Sequence, residues 1–150
     1  MKYIRGCKIT QLIVADEFYY AYKICFNTGT NRIYSIPGFV NGLFACELYL
    51  KILVGKKVNK LEKNERHNLN LLYNLLEPCQ KEKLKSVPID KKYQLEDLLK
   101  NIGDGFKEWR YIYEDDNEDF GDQYPFEYTE VFLKYYLEEL SKMAHEKEAP

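Results

Sequence analysis

Apolar positions recur at intervals of three and four in nearly every long stretch of this chain, and no segment alternates apolar with polar residues long enough to read as a half-buried strand. The pattern predicts an all-α fold. A first helix over Thr10 to Asn27 places Ile9, Leu12, Ile13, Tyr20 and Ile24 on one side, with Thr10 as its N-cap and Gly29 just past its end. Asp16 falls on that same side, either at the margin of the stripe or with a partner, and the sequence leaves the two open. A second helix over Pro37 to Val54 opens on a proline suited to a first helical turn and stops at Gly55. From Phe39 to Val54 its only strongly polar side chains are Asn41, Glu47 and Lys51, so it is apolar nearly all round and should run through the middle of the fold. A transmembrane span competes for this segment, but its clean apolar run is shorter than about 18 residues and Glu47 and Lys51 interrupt it, which favours burial in protein.

Gly55 to Glu65, with Lys56, Lys57, Lys60 and Lys63 and no aromatic residue, reads as an exposed connector. A third helix opens at His67–Asn68 with Asn68 or Asn70 as its cap and ends near Glu77–Pro78; a short polar helix over Pro78 to Lys85 follows. Leu95, Leu98, Leu99, Ile102, Phe106, Trp109 and Tyr113 then predict a long helix over Asp90 to Glu114, in which Gly103 and Gly105 each cost about 1 kcal/mol relative to Ala and point to a bend or close packing. After an acidic loop, a last helix over Pro125 to Glu146 carries Tyr128, Val131, Phe132, Tyr135, Tyr136, Leu140 and Met143, and the charged end from His145 to Pro150 is expected to fray.

Length and composition narrow the reading. The 150 residues suit one domain with a real core, and 45% hydrophobic with 31% charged residues exclude disordered, fibrous and low-complexity classes. A net charge of −2 provides no global positive field, so any nucleic-acid contact must be local. Tyr accounts for 14 residues, which fits a core with hydroxyls at its rim better than a base-binding surface. Cys7, Cys25, Cys46 and Cys79 form no C-x-x-C pair and give no zinc site; Cys46, inside an apolar run, reads as a small core residue. No secretory signal is legible at the start, and the expectation is a cytoplasmic chain with free thiols and no cofactor.

Four residues carry candidate chemistry. Glu47 and Lys51 stand four apart on a buried helix, in the orientation that favours a pair, and either fix helix packing or line a functional pocket. Arg110, between Trp109 and Tyr111, suits carboxylate or phosphate, or else pairs with Glu114 or Glu47. His67, preceded by Arg66, is the histidine outside the frayed end, either a packing residue or an acid–base group. The acidic loop from Glu114 to Asp119 fails as a calcium loop, because Phe120 occupies the glycine place and Phe126 the twelfth position.

Three patches in order, Gly38-Phe39-Val40-Asn41 through Ala45-Cys46-Glu47-Leu48-Tyr49-Leu50-Lys51, then His67-Asn68-Leu69 with Leu72, then Glu108-Trp109-Arg110-Tyr111-Ile112-Tyr113-Glu114, resemble the HEPN domains, the higher eukaryote and prokaryote nucleotide-binding group. The resemblance spans Ser35 to Glu114. It implies an up-and-down helical bundle of about five to six helices, often a homodimer, met in bacterial defence and toxin–antitoxin systems and beside minimal nucleotidyltransferases. Many members cleave RNA without a metal, using an Arg with a His about four to six residues after it for acid–base work. None of Arg5, Arg32, Arg66 and Arg110 has a histidine at that distance. The resemblance therefore implies a module that binds a nucleotide, RNA or a partner protein such as a nucleotidyltransferase or antitoxin, and it carries over only Arg110, as a phosphate contact; Glu47, Lys51 and Tyr113 stand beside Arg110 as candidate ligand contacts read from the residues themselves, and no membrane partner is expected. The alternative is a metal-independent ribonuclease in which Arg110 steadies the phosphate and His67, or Tyr113, moves the proton. A further alternative is a dimerisation module paired through its aromatic last helix.

Overall fold

In the computed structural model, residues 8–26, 35–104 and 126–149 are described. They form an all-α helical bundle with six α-helices and no strand among them. In chain order these are α1 (Lys8–Phe26), α2 (Ser35–Val54), α3 (Leu69–Asn74), α4 (Pro78–Lys85), α5 (Leu95–Ile102) and α6 (Phe126–Glu148), with 3-10 turns over Gly55–Lys60 and Lys63–Glu65 between α2 and α3.

The apolar helix α2 is the centre of the packing, with α1, α6 and α3 against it. Its buried residues run from Gly38 to Val54 and include Leu43, Cys46, Tyr49, Leu50 and Ile52. By length and composition α2 would also cross a membrane, and two thirds of the qualifying stretch (67%) is buried within the protein itself. Gly55, with φ of +63°, turns the chain out of α2 in a backbone region that favours glycine. The free carbonyls at that end are met from α6, where Lys147 Nζ donates to Ile52 O at 2.9 Å and Leu53 O at 2.8 Å.

The structure corrects the predicted face of α1. Ile13, Tyr20 and Ile24 are exposed; Leu12 alone of the described residues on that stripe packs on the core, and Ala15, Phe18, Tyr19, Tyr22 and Phe26 join it there. Apolar residues cover most of the circumference of α1, and the face with more aromatic area wins the contact with α2. Phe18 meets Phe44 edge-on with ring centroids 4.5 Å apart, Tyr19 meets Tyr49 at 6.3 Å, and Phe26 meets Phe39 at 5.6 Å. The helix also begins at Lys8, so Thr10 lies inside it rather than capping it.

Two more boundaries differ from expectation. The helix expected to start at Asp90 starts at Leu95, because Asp90 closes a turn: its carboxylate accepts from Lys92 N and its carbonyl from Tyr93 N. The last helix does not fray at His145 but continues to Glu148, tied down by the Lys147 bonds to α2 and by a bond from His145 to α1. Of its aromatic residues Phe132 and Tyr136 are buried and stacked at 5.3 Å, while Phe126 and Tyr128 are exposed. By contrast, α3 is capped by Asn68 as one of the two expected residues, Leu71 N donating to its Oδ1 at 3.0 Å, and α4 has the expected bounds.

Candidate functional site

Glu47 projects from α2 with no exposed surface, a position where an ionised carboxylate is stable only if its oxygens are well satisfied. Two cationic or polar partners supply this. One turn along α2, Lys51 Nζ donates to Oε2 at 2.8 Å. From across the α2–α3 connection, His67 Nδ1 lies 3.1 Å from Oε2 and 3.3 Å from Oε1. The Glu47–Lys51 pair is therefore formed, and His67 joins it.

The position of His67 is fixed from both sides by local structure. Upstream, Glu62 and Glu65 close a capping box on the Lys63–Glu65 turn, Glu62 N donating to Glu65 Oε1 at 2.8 Å, and Arg66 Nε reaches back to Leu61 O at 3.2 Å. Downstream, Asn68 caps α3 and its Nδ2 donates to Asp104 Oδ1 at 3.2 Å, while Leu69 N donates to Gly103 O at 2.8 Å. Gly103 permits this approach, since a Cβ there would stand 2.8 Å from the Asn68 amide. The close packing expected at Gly103 thus braces the turn that carries His67.

The three side chains differ in access. Glu47 is enclosed, Lys51 is 24% exposed and His67 is 47% exposed. With Nδ1–H donating to the carboxylate, Nε2 makes no hydrogen bond among the described residues; it is an acceptor on the neutral ring and an N–H donor on the imidazolium. Neutral imidazole leaves the Glu47–Lys51–His67 cluster without net charge, and imidazolium makes it cationic. The surrounding chain is strongly basic: Lys51 to His67 holds Lys51, Lys56, Lys57, Lys60, Lys63 and Arg66 against only Glu62 and Glu65. Of these, Lys57 is already paired with Glu77, whose carboxyl it holds below its ordinary range. No three His, Cys, Asp or Glu side chains converge as a metal-ligand group among the described residues.

Arg110 and Tyr113, together with the acidic Glu114–Asp119 stretch and Gly105, lie outside the described residues. Cys46 is buried as expected, and burial pushes its thiol far above the ordinary range, so it does not serve as a nucleophile.

A second polar cluster was not legible in the sequence. Asp16 Oδ1 accepts from Tyr49 Oη at 2.5 Å and lies 2.9 Å from His145 Nε2. Burial first, then the Asp16 bond, pushes the Tyr49 hydroxyl far above its ordinary range, with a Ser141 bond acting the other way. Asp16 thus has partners, 33 and 129 residues away, and no local spacing announces either.

No protein-family model, curated protein or solved structure matches this chain.

Proposed function

We propose that the chain is a HEPN-like helical module that binds a phosphate-bearing ligand, a nucleotide or RNA, at the Glu47–Lys51–His67 cluster, in a bacterial defence or toxin–antitoxin setting. The observation that carries this reading is the half-exposed His67 held by the buried Glu47 carboxylate beside Lys51, at the mouth of a basic segment. A phosphate needs directed N–H donors and a local positive field, and the cluster offers both although the chain is net acidic. Glu47 holds the Lys51 ammonium and the His67 ring in place, and the basic segment gathers the polyanion.

Binding of a fluorescently labelled single-stranded RNA, followed by anisotropy across a salt series, tests it. Affinity should fall with salt at a logarithmic slope of about −0.7 per phosphate contacted, and His67→Ala and Lys51→Met should each weaken binding. Binding that ignores both substitutions removes the site from the reading.

One observation favours a second reading, the metal-independent ribonuclease. A carboxylate on Nδ1 is the arrangement that orients an imidazole for base work at Nε2, here toward a ribose 2′-hydroxyl. Cleavage of RNA in chelator, lost in both His67→Ala and Arg110→Ala, is the result that reading requires.

A further inference from the structure

The face of α1 turned away from the core carries Ile13, Glu17, Tyr20 and Ile24, all exposed, with Tyr20 at 66%, Ile13 at 52% and Ile24 at 51%. Large apolar residues left singly in water are ordinary, but a row at heptad spacing is the seam of a helix pair. The spacing of this row is four, three, four, and it reads the same from either end.

We propose that α1 pairs with α1 of a second copy of this chain, antiparallel about a two-fold axis that passes between Glu17 and Tyr20. An isologous contact requires that the surface be complementary to itself, and this one is at every seam position. Ile13 packs on the partner's Ile24, and Ile24 on the partner's Ile13. Glu17 faces the partner's Tyr20, whose hydroxyl donates to its carboxylate, and the same bond forms again by symmetry. On one flank Val14 meets the partner's Ala21, a small apolar pair that lets the helices approach. On the other, Asp16 meets the partner's Lys23, so opposite charges face each other twice. Asp16 uses Oδ1 for both of its internal bonds, which leaves Oδ2 for this contact, and Lys23 is exposed, standing over the Tyr19 ring at 4.3 Å. A parallel pairing would oppose Glu17 to the partner's Glu17 and lose both charge pairs, so the register also fixes the direction. This surface is separate from the Glu47–Lys51–His67 site, and neither reading depends on the other.

Sedimentation over a wide concentration range, with the native chain and with Tyr20→Glu and Ile24→Lys variants of unchanged helicity, tests the proposal. The native chain should dimerise, and each variant should weaken the dimer by about tenfold or more, Tyr20→Glu by opposing two carboxylates on the seam. A zero-length carbodiimide cross-linker applied to a mixture of isotope-labelled and unlabelled chains should join Lys23 of one copy to Asp16 of the other. A native chain that stays monomeric, a dimer that survives Tyr20→Glu, or a dimer whose Lys23 cross-links run to other carboxylates each overturns it.

Discussion

Both histidines of the chain rest against a carboxylate, on different sides of the central helix. His67 binds Glu47 of α2, whereas His145 binds Asp16 of α1, which in turn holds Tyr49 of α2. Glu47 and Tyr49 stand two residues apart and so point nearly opposite ways from the helix. The difference between the two clusters is which member is buried. At His67 the carboxylate is enclosed and the imidazole reaches the surface; at His145 both ionisable groups are half in water, 49% and 40% exposed, and the buried member is a neutral phenol. A buried carboxylate must bind its partners to be stable, and this fixes Lys51 and His67 in place. An exposed carboxylate has water as an alternative and serves mainly as a staple between α1, α2 and α6.

The sharpest way to break this comparison is to remove each carboxylate in turn. Glu47→Ala should cost about 2–4 kcal/mol, because a buried anion that binds two partners is lost and a void replaces it. Asp16→Ala should cost only about 1 kcal/mol, the Tyr49 hydroxyl losing its acceptor while His145 turns to water. Urea unfolding at neutral pH measures both, and equal costs would mean that burial does not distinguish the clusters.

Gly103→Ala comes next, at about 1–3 kcal/mol, since a methyl 2.8 Å from the Asn68 amide must displace either the α3 cap or the end of α5. The displacement should reach His67, one residue before the cap. The expected signature is therefore weaker RNA binding with the Asp16 cluster unchanged, read from the anisotropy titration together with the imidazole proton resonances of the two histidines.

The parts of this fold that were legible are those decided within a few residues. Asn68 as a helix cap, Pro78 to Lys85 as a short helix, and Glu47 facing Lys51 each follow from contacts spanning four positions or fewer, where spacing implies geometry. The core face of α1 is not legible because two apolar stripes share that helix, and the choice between them depends on the shapes of Phe39, Phe44 and Tyr49 on another element. That His67 would reach Glu47 was likewise beyond periodicity, since it depends on two 3-10 turns that return the chain to α2. The charged composition from His145 onward reads as a fraying end, while His145 bonds to Asp16 of α1 and Lys147 to the Ile52 and Leu53 carbonyls of α2. Charge composition alone does not reveal such tethers.

The buried tyrosines give a smaller test, in which Tyr49 represents the Asp16 side. Burial pushes Tyr22 and Tyr136 from the ordinary 10.0 to about 12, and Tyr49 is pushed up as well. The unfolded chain releases these protons near pH 10 while the folded chain retains them, so their contribution to stability is intact below pH 10 and is lost as pH rises towards about 12. Tyrosinate absorbance should show a fraction of the tyrosines ionising only as the protein unfolds. Tyr49→Phe should cost about 1 kcal/mol at neutral pH and flatten that alkaline loss, because it removes a hydroxyl that must stay protonated in the fold.

The smallest changes in stability should come from the histidines themselves, and there the two sides part most clearly in function. His67→Ala and His145→Ala each remove a half-exposed ring, and because the space left at His67 opens onto solvent and Glu47 keeps Lys51, about 0–1 kcal/mol is expected for either. Stability therefore does not separate them, and on the proposed reading RNA affinity should: His67→Ala removes a ring from the cluster beside the basic segment, while His145→Ala touches only the α1–α6 staple. Loss of affinity in the first and none in the second, at matched thermal stability, assigns the ligand to the buried-carboxylate side of α2. Equal loss in both would trace the effect to general loosening of the bundle, and equal retention would leave His67 with the same stapling role as His145.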